Sequence, residues 1–348
     1  LGASLGVTRR LSDNCCVGVA VPAAFLGGCV QLRFLGRSAL QVSPLCLGGN
    51  VFGWTAGADA SFEVLDALAA AGLNFIDTAD IYSVWVPGHR GGESETVIGH
   101  WLKRSGRRQD MVIATKVGMQ VAPDAKGLSA AHIARSVEGS LRRLQTDHID
   151  LYFSHCDDAT VPMEETLGAY QKLIAAGKVR AIGASNFTAA RLTEALDVSA
   201  KHGLPRYEVL QPQYNLYERH GYESELEPLC VERQVGVVSY FALASGFLSG
   251  KYRTREDAAK SLRGKGVVEK YLNPRGSKIL EALDAVARRR GASPASVALA
   301  WQIARPSITA PIASATTVEQ LRDLIAATRL TLDGTDIEQL NAASEPAP

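Results

Sequence analysis

Four side chains able to move or steer a proton stand at the ends of three apolar runs. Asp77 and Tyr82 close "NFIDTADIY" (74–82), Lys116 follows "IAT" in "IATKVG", and His155 follows "LYFS" in "LYFSHCDD". A tyrosine has an ordinary pKa near ~10, too high for easy proton exchange at neutral pH. A neighbouring ammonium stabilises the phenolate and lowers that pKa. Asp77 would hold Lys116 in place and keep it charged, and His155 would orient a substrate oxygen or share its proton. Tyr82 then serves as acid in one direction of a reaction and as base in the other. Each residue alone also has a plain structural reading: a capping aspartate, a tyrosine packed on loops, a solvated lysine, a core histidine. Four such groups supply no hydride, so a redox role requires a cofactor. Ser185 and Asn186 in "IGASNF", with Gln211, offer partners for a carboxamide. Tyr240 offers a flat face for a ring to stack on. Lys251, Arg253 and Arg263 offer charge for phosphates.

Such distant residues meet only if the fold aims strand ends at one place. Eight short apolar runs read as strands: 44–48, 74–78, 111–115, 149–153, 179–183, 207–211, 236–240 and 308–312. Runs this short and rich in Val and Ile suit parallel strands buried on both faces. Helical patterns separate them at 61–71, 130–144, 163–176 and 188–202. Ser129 is placed to cap the second, and Gly72, Gly177 and Gly203 are placed as stops. Eight βα units in one domain predict an α/β fold, a (β/α)8 TIM barrel, whose chemistry sits at the C-terminal ends of its strands. A doubly wound sheet would normally carry GxGxxG between a strand and a helix, and none is present. Residues 32–44 predict a small hairpin that closes the barrel's bottom. Residues 241–276 form a non-repeating stretch too long for an ordinary loop, which marks it as functional.

The 348 residues are 46% hydrophobic and 21% charged, with a formal net charge of +1. That is ordinary for a globular protein, and no basic face points to nucleic acid. The six cysteines form no CxxC pair and no zinc-spaced set with histidine, so they read as reduced thiols of a cytoplasmic protein. Cys156, at a strand end, reads as a buried spectator. Residues 1–30 contain two arginines, an apolar stretch and "LGGC", which has the look of a leader. They read better as a disordered, non-native upstream segment before a single domain at 31–348. No apolar run approaches the ~20 residues a membrane-spanning helix needs.

From about residue 31 to 340 the chain resembles the aldo-keto reductases, in the branch of bacterial members similar to potassium-channel β subunits. The resemblance rests on "FIDTADIY", "ATKVG", "DLYFSH", "GKVRAIGASNF", "LQPQYNLYER", "YFALASGFLSGKY" and "ATTVEQL", which follow one another in the family's order. It implies a catalytic tetrad of Asp77, Tyr82, Lys116 and His155, with Tyr82 as proton donor, and hydride transfer between a nicotinamide and an aldehyde or ketone. It implies NADPH bound without a Rossmann motif: Ser185, Asn186 and Gln211 at the carboxamide and Tyr240 under the ring. Phe241, Leu243 and Ser245 would lie along the pyrophosphate, with Lys251 and Arg263 on the phosphates. Ser314, Thr316, Gln320 and Asp323 would lie at the adenosine end. Two departures stand out. Ser314 and Leu324 replace residues common in the family, and no Arg or Lys occupies the matched 2′-phosphate positions, although Arg322 is near. NADPH is therefore the expectation and NADH the alternative. The insertion "SVWVPGHRGG" (83–92) follows the expected proton donor, so Trp85 and Val86 are expected to wall the substrate pocket. The partner is then a small carbonyl or alcohol; an oligomer stays open. A cofactor-sensing protein with little turnover is the rival reading. A metal-dependent hydrolase built on Asp77 and His155 lacks a third ligand.

Overall fold

The computed structural model describes residues 30–345, so the leader-like segment lies outside the described residues except for Val30. The chain opens with an antiparallel pair, β1 (Arg33–Phe34) and β2 (Gln41–Val42). Eight parallel strands follow: β3 (Cys46–Gly48), β4 (Phe75–Asp77), β5 (Val112–Val117), β6 (Ile149–Ser154), β7 (Val179–Ser185), β8 (Tyr207–Gln211), β9 (Gly236–Val237) and β10 (Ile312–Ala313). They lie side by side in chain order, with β10 returning to pair with β3. The cylinder closes between β9 and the approach to β10, where Thr309 N donates to Val237 O (2.8 Å) and Ile312 N to Ser239 O (2.8 Å). This is the expected (β/α)8 barrel with an N-terminal hairpin.

Side chains alternate across each strand. Phe75, Val112, Ala114, Leu151, Phe153, Ala181, Val209 and Val238 fill the interior. Ile76, Ile113, Tyr152, Ile182, Leu210 and Val237 face the surrounding helices. The interior cluster also takes in Leu35 and Val42, so the hairpin plugs the floor of the barrel.

Helices cover the outside. α1 (Ala58–Ala70) begins three residues before the expected 61, because its exposed first turn precedes the apolar stripe. α2 (Glu93–Ser105) follows, and α3 (Ala130–Leu144) has Ser129 as its cap, accepting from His132 N. α4 (Met163–Ala175) and α5 (Ala189–His202) fall where the pattern placed them, the latter stopped by Gly203 at φ 64°. The long stretch 241–276 carries its own structure: 3-10 turns at Ala244–Ser249 and Glu256–Lys260, and a helix at Gly264–Tyr271.

The plug meets the barrel backbone to backbone. A Cβ on Gly36, at φ +56°, would stand 2.2 Å from Glu208 O and 3.0 Å from Gly236 N. Gly36→Ala is therefore expected to lower the unfolding free energy, read by denaturant titration, by about 2 kcal/mol. Gly168→Ala, inside α4 with nothing within 4 Å of the new Cβ, is expected to raise it by roughly 0.5–1 kcal/mol.

Candidate active site

Strand parity decides what reaches the mouth of the barrel. Asp77 continues the interior face of Phe75, and Lys116 that of Val112 and Ala114. His155 follows Leu151 and Phe153, and Gln211 follows Val209, on the same face. Tyr82 comes from the loop after β4 and turns back over the opening.

Asp77, Tyr82 and Lys116 form a closed triangle. Lys116 is fully buried and uses its ammonium three times: to Asp77 Oδ2 (2.6 Å), Thr78 O (2.8 Å) and Tyr82 Oη (2.9 Å). The Tyr82 hydroxyl also lies 3.0 Å from Asp77 Oδ2 and donates to it. Gln211 Nε2 donates to the other carboxylate oxygen (2.9 Å). The His155 ring stands edge-on to Tyr82, with centroids 6.1 Å apart. Its Nδ1 is buried without a hydrogen-bond partner.

The electrostatics differ from the sequence expectation in one respect. Burial, and then the Asp77 carboxylate, push the Tyr82 phenol well above its ordinary value, so it rests as a protonated acid. Contact with the ammonium works in the opposite direction, but Lys116 is itself drawn down by burial while Asp77 opposes the fall. Burial, and then Lys116, drive His155 well below its ordinary value, which leaves a neutral imidazole.

A second network spans β7 to β9. Asn186, at φ 57°, donates from Nδ2 to His155 O (2.9 Å) and to Ser185 Oγ (3.2 Å), and accepts from the Tyr240 hydroxyl at Oδ1 (2.9 Å). Ser185 Oγ donates to Gln211 O (3.0 Å). Ser185, Asn186, Gln211 and Tyr240 therefore converge beside the triangle. Phe241, Leu243 and Ser245 follow in a tight loop, with Phe241 at φ 53° and Ser245 at φ 57°. A cleft of about 410 Å³ is lined by Phe241, Ser245, Arg263 and Lys270. Lys251 is exposed, its ammonium over the Tyr252 ring. Arg253 is instead tied to Asp284 at 2.7 and 2.8 Å, which removes it from the phosphate-facing set.

The β10 end carries the remaining predicted positions. Ser314 Oγ lies 2.5 Å from Asn50 Oδ1. Thr316 donates from both N (3.0 Å) and Oγ1 (3.2 Å) to Gln320 Oε1. Asp323 points its side chain to solvent. Trp85 is half exposed and sits 6.2 Å from the Tyr82 ring, while Val86, partly buried, lies one turn along the loop from Ser83. Two neighbours went unread in the sequence, Asn50 and Trp54. Both belong to "GGNVFGW", directly after β3, and the strand-end rule applied to the first strand would have found them. Among the described residues no three His, Cys, Asp or Glu side chains cluster as metal ligands. No described helix is long and apolar enough to cross a membrane.

Asp80 adds a titratable group two residues before Tyr82. It is buried, and its Oδ1 has no partner. Burial, reinforced by Glu95 and offset by Arg143, raises its pKa to about 8. The folded chain thus keeps a proton that the unfolded chain releases near pH ~4. Stability from this site is highest at low pH and falls as pH rises through the folded value, by up to ~1.4 kcal/mol per pH unit. Asp80→Asn is expected to flatten the melting temperature between roughly pH 5 and pH 8. Parallel profiles for parent and variant would refute the buried proton.

Comparison with known proteins gives the family. Residues 44–345 match the model of the aldo/keto reductase family. An uncharacterized oxidoreductase of Bacillus subtilis, YrpG, is 37% identical over 90% of this chain and 95% of its own. A probable voltage-gated potassium channel subunit beta of Oryza sativa is 35% identical over 84% of this chain and 89% of its own. An aryl-alcohol dehydrogenase of Pestalotiopsis microspora is 31% identical over 92% of this chain and 83% of its own. A barrel with a buried acid, amine and phenol at its mouth, matched over nearly its whole described length, belongs to the aldo/keto reductase family of enzymes that interconvert carbonyls and alcohols.

Proposed function

We propose that the chain is an NADP(H)-dependent oxidoreductase in which Tyr82 is the general acid for carbonyl reduction and the general base for alcohol oxidation. The observation that carries this is the Lys116 ammonium at 2.9 Å from the Tyr82 hydroxyl, with Asp77 holding both. A nicotinamide, when bound, supplies or accepts the hydride. The chain's own groups do the rest. Tyr82 gives its proton to the substrate oxygen as negative charge develops there. Lys116 stabilises the phenolate that remains, and Asp77 keeps Lys116 oriented. His155, neutral and with a buried ring nitrogen lacking a partner, directs a polar contact at the substrate oxygen.

The residues fit a nicotinamide cofactor. Tyr240 is held by its hydroxyl to Asn186 and offers a ring on which a nicotinamide could stack. Ser185, Asn186 and Gln211 gather amide and hydroxyl groups beside it. The cleft beyond holds Ser245 and Arg263, and Lys251 stands exposed on the same loop, as polyphosphate recognition requires. Ser314, Thr316 and Gln320, with Arg322 near, would face the adenosine end, where hydroxyl and cation partners favour NADPH over NADH. The relative named as an aryl-alcohol dehydrogenase supports a small alcohol or carbonyl as the other substrate. A cofactor-sensing role is the second reading, favoured by the relative named as a channel subunit. The complete tetrad favours turnover.

Tyr82→Phe is expected to lower carbonyl reduction by about 10²–10⁴-fold while the affinity for reduced cofactor, read by its fluorescence, stays within about twofold. Turnover equal to the parent's would remove the phenol from its role. In Lys116→Met the phenol loses its cation, so the ascending limb of the oxidation profile, where Tyr82 deprotonates to act as base, should move to higher pH. An unmoved limb would dissolve the pairing. Titration with NADPH and with NADH is expected to give the tighter binding for NADPH.

A further inference from the structure

The acid and the amine of the triangle each adjoin a threonine that faces the other way. Thr78 follows Asp77 and Thr115 precedes Lys116, so strand alternation turns both threonines outward, toward the helices. Both are fully buried. Their hydroxyls end on consecutive residues in the first turn of α2. Thr78 Oγ1 lies 2.8 Å from Ser94 Oγ, and Thr115 Oγ1 donates to Glu95 Oε1 (2.6 Å). Ser94 Oγ donates its one proton to Gly49 O (2.7 Å), so Thr78 must be the donor to Ser94. Gly49 N in turn donates to Asp77 O (2.7 Å). A closed circuit thus runs from Asp77 and Thr78 through Ser94 to the residue after β3.

The circuit leaves no spare room. A Cβ on Gly49 would stand 2.9 Å from Ser94 Oγ and 3.0 Å from Asp77 O. On the other arm Glu95, fully buried, also accepts from Arg143 Nε (2.6 Å). Arg143 passes so close to the helix start that a Cβ on Gly92 would fall 2.3 Å from its Nε. A Glu at the third position of a helix commonly reaches back to cap its own first turn. Glu95 holds that position and reaches the barrel wall instead. The consequence falls on the ammonium, a point charge on a flexible stem whose place is set by its acceptors. One of the three acceptors of Lys116 is the Thr78 carbonyl (2.8 Å). That residue is fixed by its own N–H to Ala114 O (2.8 Å) on one side and by the hydroxyl circuit on the other.

We propose that Ser94 and Glu95 are positioning residues which, acting through Thr78 and Thr115, hold the Asp77–Lys116 pair in place against the Tyr82 hydroxyl. This rests on the reaction proposed above and adds the part of the fold that aims it. Thr78→Val and Thr115→Val each remove a hydroxyl at nearly constant shape, and Ser94→Ala removes the link between Thr78 and Gly49. In all three, kcat for carbonyl reduction is expected to fall about tenfold while KM for both substrates stays within about twofold. The ascending limb of the oxidation profile should move to higher pH, because a displaced cation stabilises the phenolate less. The groups that face the phenol are Asp77, Lys116, His155, Cys46 and Tyr240. None is altered and no charge is changed, so a moved limb reports geometry. Thr78→Ser and Thr115→Ser keep the hydroxyls and are expected to restore kcat to within about threefold and the limb to the parent's position. Lower stability with kcat and the limb unmoved in all three variants would make the contacts merely structural and overturn the proposal. Circular dichroism checks folding; should Ser94→Ala fail to fold, Thr78→Val, in which Ser94 keeps its own acceptor, carries the test.

A second measurement does not depend on turnover. The Lys116 ammonium is read in a proton–nitrogen correlation spectrum, its signal assigned by its loss in Lys116→Met. It is expected to shift and to exchange faster with water in Thr78→Val and Ser94→Ala, and to keep its place in Thr78→Ser. A signal identical in the parent and in every hydroxyl-deleting variant overturns the brace. A displaced signal in a chain without any carbonyl turnover would instead sustain the brace and defeat the proposed reaction.

Discussion

The site hangs on a buried ion pair. Lys116 has no exposure at all, and its ammonium meets the Asp77 carboxylate at 2.6 Å. Such a pair adds little net stability, since the cost of removing two charges from water nearly offsets their attraction. Losing one partner is another matter, at roughly 3–5 kcal/mol for the stranded charge. The barrel therefore has no reason of stability to keep this pair. What the pair does accomplish is geometric: it fixes a cation 2.9 Å from a phenol on a loop. Gln211, from a strand across the barrel, locks the carboxylate's second oxygen. The triangle is thus braced from three strands and one loop.

Much of this was legible in the sequence for a simple physical reason. Side chains alternate along a strand, so the residue two beyond an interior Phe75, Ala114 or Phe153 points into the same lumen. Asp77, Lys116 and His155 each stand two residues beyond one of these. Short apolar runs gave the strands, and a serine before the helix gave the start of α3. Other features left no periodic trace. Trp54 lies in a loop, and loop residues are placed by tertiary contacts rather than by a repeat. Arg263 reads as a phosphate ligand by its charge, and only the packing reveals an indole beneath it. The direction of the Tyr82 shift was hidden for the same reason, because burial is a property of the assembled mouth.

Backbone strain is distributed unevenly. Among non-glycine residues at positive φ, Gln145 and Gln234 end helices, a common and inexpensive use. Ser83, Asn186, Phe241, Ala244 and Ser245 belong to the loops around the mouth. Each such residue costs on the order of 1 kcal/mol or more, which the rest of the fold must absorb. The continuous apolar layer between strands and helices is large enough to do so. The rim can then keep conformations a free loop would abandon, including the turn that brings Tyr82 back over Asp77.

The hairpin plug has a kinetic meaning. With the interior filled by residues such as Phe75, Leu151 and Phe153, and Leu35 and Val42 closing the floor beneath them, the site is a cup rather than a tunnel. Anything that enters must leave by the same rim. Two guests sharing such a vessel cannot come and go independently: the one seated deeper arrives first and departs last. Traffic through a single doorway, rather than any switch in the protein, would then impose a sequence on the visitors.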